Sequence, residues 1–203
     1  MKQTIYLLRH GETELNLKGR YQGELDSPLT IDGIEQVKNN AKLLKVLIDN
    51  PSEWEFFSSP LGRAQQSTDI VCEVLGYNKS KVIIEDRLKE VTVGKWAGLT
   101  TKEIEMSWPE LMENSNNYNW YFNSPNGESY DSVVIRITEW LYSIRNKKKV
   151  IVMSHGLTGR VLRGFYQGLT KDQALSLDVS QNTFFKLSDK KVESFCSEYD
   201  DFY

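Results

Sequence analysis

YLLRHGETELN (Tyr6–Asn16) is an apolar run that stops on Arg-His-Gly, and VIVMSHGLTGR (Val150–Arg160) is a second that stops on Ser-His-Gly. The chain holds two histidines, His10 and His155, and both fall in this setting. Each reads as a buried strand ending at a glycine, with chain beyond it turning away from the sheet. Ligands of open α/β sheets bind beyond the carboxyl ends of the strands. The repeat therefore brings both imidazoles to one rim.

Further apolar runs at Trp54–Phe57 and Val82–Ile84 add core strands to those at Thr4–Leu8 and Val150–Met153. Helical patterns alternate with them, the order expected of an α/β fold with a largely parallel sheet. Ile34, Val37, Ala41, Leu44 and Ile48 keep the three-four spacing of one helix face, with Thr30 as N-cap. A second helix opens at SSPLGRAQQS, with Ser59 as cap and Pro60 at the first helical position. A third is expected over Ser132–Ile144, and a fourth directly after His155-Gly156. NTFFKLSDKKVESF (Asn182–Phe195) reads as a hairpin at a sheet edge. The expected architecture is a three-layer α/β/α sandwich, one domain over 1–203, with a mostly parallel central sheet. A small lid excursion, about 95–130, is rich in aromatics (Trp96, Trp108, Tyr118, Trp120, Tyr121, Phe122) and has no clean period.

At the rim the two histidines are joined by Arg9 and by Arg63, in the first turn of the second helix, while EDRLKEVTVG brings Glu90 to the same edge. Two guanidiniums match a tetrahedral dianion, most simply phosphate, and helix N-termini add donors. Cations also hold a neighbouring imidazole neutral, leaving a lone pair that can attack phosphorus. Gly11 and Gly156 let the backbone and the phosphoryl group approach closely, and Glu90 can hand a proton to the leaving oxygen. This chemistry calls for no cofactor and no metal.

Composition fits that reading. A hydrophobic content of 39% and a charged content of 26% are those of a globular chain, and a net charge of −3 argues against nucleic acid as a partner. RNKKK (Arg145–Lys149) reads as a solvated helix end. Cys72 and Cys196 are far apart and lack metal-ligand spacing, consistent with a reducing compartment. The N-terminus leaves no room for a signal peptide and no run reaches membrane-spanning length, so a cytoplasmic protein without membrane contact is expected. The expected partner is a small-molecule phosphate ester. A homodimer through the C-terminal hairpin is left open.

LLRHGETELNLKGRYQGELDSPLTIDG, SSPLGRAQQS, DRLKEVTVGKWAG, PNGES and VIVMSHG, in that order, resemble the histidine phosphatase superfamily, the phosphoglycerate mutase-like proteins, over nearly the whole chain. The resemblance implies that His10 is the nucleophile that becomes phosphohistidine. It further implies that Arg9, Arg63, His155 and Gly156 bind the transferring group, that Glu90 is the proton donor, and that Asn16, Gln22 and Gly23 add phosphate contacts. Two departures stand out: Trp96-Ala97-Gly98 where many relatives have Trp-Glu-Gly, and Leu157 after His155-Gly156 where mutases continue with Asn. Between Lys102 and Arg136 there is no Lys or Arg. A mutase needs cations over the pocket to hold a second anionic group, so a phosphomonoesterase with a neutral or apolar leaving group is expected. Phosphoglycerate mutase activity and, behind it, a non-catalytic phosphate-binding role are the alternatives.

Overall fold

The computed structural model describes residues 3–113 and 119–197; Tyr118 lies outside the described residues. The strands β1 (Thr4–Arg9), β2 (Glu55–Ser58), β3 (Ile83–Ile84), β4 (Lys149–Ser154), β5 (Thr183–Ser188) and β6 (Lys191–Cys196) form one sheet. Their order is β3-β2-β4-β1-β5-β6. β3, β2, β4 and β1 are parallel, and β5 and β6 close the far side antiparallel. The hairpin turn uses Asp189 and Lys190 at φ 52° and 59°, the left-handed pair that a two-residue turn needs to match strand twist.

Period-two alternation divides the strand side chains between two cores. Tyr6, Leu8, Phe56, Ile151 and Met153 pack with Val37, Ala41 and Leu44 of α2 (Ile31–Leu47) and Ala64, Val71 and Leu75 of α3 (Gly62–Leu75), while α1 (Glu14–Leu17) is a single turn. On the opposite face Ile5, Leu7, Phe57, Val150 and Val152 pack with residues of three later helices. These are α6 (Tyr130–Ser143), α7 (Gly156–Gln167) and α8 (Lys171–Leu175). The result is the expected three-layer sandwich.

The excursion holds α4 (Thr101–Ser107) and α5 (Pro109–Glu113). At seven and five residues they span too few turns to print a period on the sequence. They enclose a separate small core of Val93, Trp96, Ile104 and Trp120.

Two expectations are corrected. The run at Val82–Ile84 is not a core strand: only Ile83–Ile84 pairs, at the open edge beside β2, and these residues stay 40% and 52% exposed. The second helix begins at Gly62 with Leu61 as N-cap, not at Pro60 behind Ser59. Its first amides are satisfied from another segment: the Asp26 carboxylate accepts from Gly62 N and, at 3.1 Å, from Arg63 N. The close backbone approach expected at Gly11 is present: a Cβ there would stand 2.1 Å from the carbonyl oxygen of Gly33 in α2.

Candidate active site

The ends of β1, β2 and β4 deliver His10, Ser59 and His155 to one place. The imidazole rings of His10 and His155 lie 5.1 Å apart. Beside them is a cavity of about 270 Å³, lined among others by Arg9, His10, Asn16, Gln22, Gly23, Arg63, Glu90 and Gly156. Sequence reasoning thus named eight of its wall residues. His155 stands just behind that wall.

Hydrogen bonding fixes the His10 tautomer. Nδ1 is 2.8 Å from the Gly11 carbonyl oxygen, which can only accept, so Nδ1 carries the proton. Nε2 lies 3.2 Å from Arg63 Nε–H, which can only donate, so Nε2 holds the lone pair. Burial lowers the His10 pKa well below the ordinary imidazole value, and the Arg63 and Arg9 charges push it the same way. His155 is lowered for the same reasons, burial first. Its Nε2 is 2.7 Å from Ser59 Oγ, and its Nδ1 is buried without a partner.

Arg63 is 1% exposed, so its charge needs compensation from the protein. Asp26 pairs with it at 3.1 Å, and the carbonyls of Leu25 and Gly23 accept at 2.9 and 2.7 Å. Gly23 can present its carbonyl there because its backbone is left-handed, φ 55°, and a Cβ would stand 2.9 Å from the Val93 nitrogen. Arg9 donates to the Val179 carbonyl, while its Nε is buried and unpartnered. Burial brings the Arg9 pKa down to about 10, Glu90 acting against it and Arg160 and Arg63 with it.

Glu90 is the only carboxyl side chain lining the cavity among the described residues. It accepts from Val91 N at 2.9 Å and Leu157 N at 3.2 Å, and from Thr158 N at 3.0 Å and Thr158 Oγ1 at 3.1 Å. These contacts hold it against the first turn of α7. Asn16 lines the cavity, its Oδ1 accepting from Thr13 N at 3.3 Å. Gln22 is tied to Thr13 Oγ1 at 2.9 Å.

Of the remaining cations on the wall, Arg160 was not singled out from sequence, whereas Arg20 was expected, with Lys18 and Lys95, as one that could reach the pocket. Arg160 lies one turn along α7 from Gly156, a spacing that could have flagged it, and donates to the Leu177 carbonyl at 2.6 Å. Arg20 reaches the wall but is held by the excursion, through Glu103 at 2.9 and 3.2 Å and the Gly98 carbonyl at 2.6 Å. Tyr21, Val91, Val93, Tyr121, Leu157 and Val179 supply the apolar and aromatic remainder. Lys18 and Lys95 are not part of it. Of the excursion's aromatics, Trp96 and Trp120 are core and Tyr121 faces the cavity.

The chain belongs to the histidine phosphatase superfamily, branch 1, whose family pattern matches residues 5–191. It is 30% identical over 186 residues to a 2,3-bisphosphoglycerate-dependent phosphoglycerate mutase of Allorhizobium ampelinum, covering 89% of this chain and 87% of that protein. It is 32% identical over 161 residues to phosphoserine phosphatase 1 of Hydrogenobacter thermophilus, covering 78% and 73%. Among solved structures, Bacillus stearothermophilus YhfR superposes with a TM-score of 0.78 at 26% identity, covering 96% of each chain. The relatives are thus both mutases and phosphatases.

Proposed function

We propose that this protein is a phosphomonoesterase that hydrolyses a small phosphorylated metabolite through a phosphohistidine on His10, without a metal. One observation carries the reading: a buried imidazole whose Nε2 lone pair is held unprotonated at the wall of a guanidinium-lined cavity. Attack begins when Arg63 Nε–H turns from that lone pair to a phosphoryl oxygen. The N–P bond then forms as the P–O bond to the leaving group breaks, and the leaving oxygen takes a proton from Glu90. Arg9, Arg63 and His155 stabilise the charge on the equatorial oxygens. Water next attacks phosphorus, gives a proton to Glu90, and releases phosphate and neutral His10.

The leaving-group side of the cavity supports a neutral or apolar partner. Arg20 is paired with Glu103; Tyr21, Tyr121, Val91, Val93 and Leu157 contribute neutral surface; and Arg160 is held by the Leu177 carbonyl. The names of the mutase relatives support a second reading, phosphoryl return to glycerate rather than to water.

Release of inorganic phosphate from an aryl phosphate, with a chelator present, tests the proposal. Wild-type turnover that survives the chelator and falls at least 10³-fold in His10→Ala is expected, a size set by loss of covalent and acid–base catalysis. Turnover unchanged in His10→Ala would refute it.

A further inference from the structure

Three consecutive carbonyls between α8 and β5 are each gripped by a different arginine. Leu177 O accepts from Arg160 Nε at 2.6 Å, Asp178 O accepts from Arg163, and Val179 O accepts from Arg9. Two residues on, Gln181 Nε2 donates to Asn16 Oδ1 at 3.2 Å, and the Gln181 carbonyl accepts from the buried Asn40 at 2.8 Å. This irregular segment therefore touches two of the residues expected to hold phosphate, Arg9 and Asn16. Arg163 does not line the cavity: it is 4% exposed and stacked 3.7 Å over the Phe185 ring.

Packing alone does not ask for this arrangement. Three like charges crowd one tripeptide, and burial lowers both the Arg9 and the Arg163 guanidinium to about 10, each opposed by the Asp178 carboxylate. A row of carbonyl dipoles is one way to hold such a cluster without covering the guanidinium edges with carboxylates, which would compete with an anionic ligand.

We propose that Leu177–Gln181 is a positioning strap that sets Arg9 and Asn16 for the phosphoryl group, and that Arg163 is a positioning residue acting through it. The proposal rests on the reading of the cavity as a phosphoryl site. The strap is anchored from α7 by Arg160 and Arg163, and Arg9 takes its pose from the Val179 carbonyl, next along the backbone from the two they hold.

A double-mutant cycle on the full chain, read by calorimetric titration with inorganic phosphate, tests it. Arg163→Leu, which keeps apolar cover on Phe185, is expected to weaken phosphate binding about tenfold, and Arg163→Lys to restore most of it. In an Arg9→Lys background the Arg163→Leu effect is expected to shrink to under about twofold, because its route has been cut. An equal loss with or without Arg9, or unchanged affinity in Arg163→Leu, would overturn the strap. Should Arg163→Leu fail to fold by circular dichroism, Gln181→Met in the cycle with Asn16→Ala decides in the same way. A wild type that binds no phosphate removes the underlying reading of the cavity, and the strap with it.

Discussion

Each of the two histidines is buried beside guanidinium groups, so protonation at the site can be followed one residue at a time. Both stay neutral in the fold at pH values where an unfolded imidazole takes up a proton. Below about pH 6.5 the unfolded chain then binds more protons than the native one, so stability falls as pH falls, by up to about 1.4 kcal/mol per pH unit for each histidine. It levels off above that pH. With two imidazoles in the chain, nuclear magnetic resonance can watch both: their Cε1–H signals are expected to hold the neutral position as the pH is lowered through the ordinary imidazole midpoint. A midpoint near 6.5 for either would contradict the environment described. His10, Arg63 and His155 were legible because a strand-end His-Gly appears twice and Arg63 opens the helix after the second strand. Asp26 was not, since its two bonds to the α3 amides and its pair with Arg63 depend on a turn folding across 37 residues of sequence.

Where elements cross, the absence of side chains does the positioning. A Cβ on Gly11 would meet Gly33 O at 2.1 Å, and one on Gly33 would meet Glu12 O at 2.0 Å. The loop after β1 and the first turn of α2 thus lie backbone to backbone, and the neighbour of His10 is locked to a helix. Gly11→Ala must push rigid backbone aside, and a loss of about 2–3 kcal/mol is expected, measured as a lower denaturation midpoint with unchanged slope. Helix cores were read correctly because their apolar spacing is local. Their starts were less legible: Ser59 has the residue type of a cap, yet its hydroxyl accepts from Leu61 N at 3.3 Å and faces His155, while the cap itself comes from Asp26. β3 misled for a related reason, since an apolar run does not reveal that it has a single neighbour.

At the level of the whole molecule, the distribution of charge around the cavity decides what is accepted. Guanidiniums gather where the strands end, whereas the excursion brings Glu103 against Arg20 and offers aromatic surface. A monoester with an apolar leaving group is expected to exceed a bisphosphate by at least about tenfold in kcat/KM, a difference of about 1.4 kcal/mol in transition-state binding. The reverse order would favour the mutase reading. That the stretch between Lys102 and Arg136 lacks cations was plain from the sequence; that Tyr121 faces the cavity while Trp96 and Trp120 do not is a matter of packing that no spacing records. The sheet order has a different consequence, for synthesis. β1 is made first, yet its partners are β4, where Thr4 meets Lys149, and β5, where Ile5 meets Leu187. A chain growing from its N-terminus must carry that apolar strand unpaired until almost everything else has emerged. The segment bearing Arg9 and His10 is thus translated well before the strands that secure it, so a product stalled before β4 lacks the assembled rim.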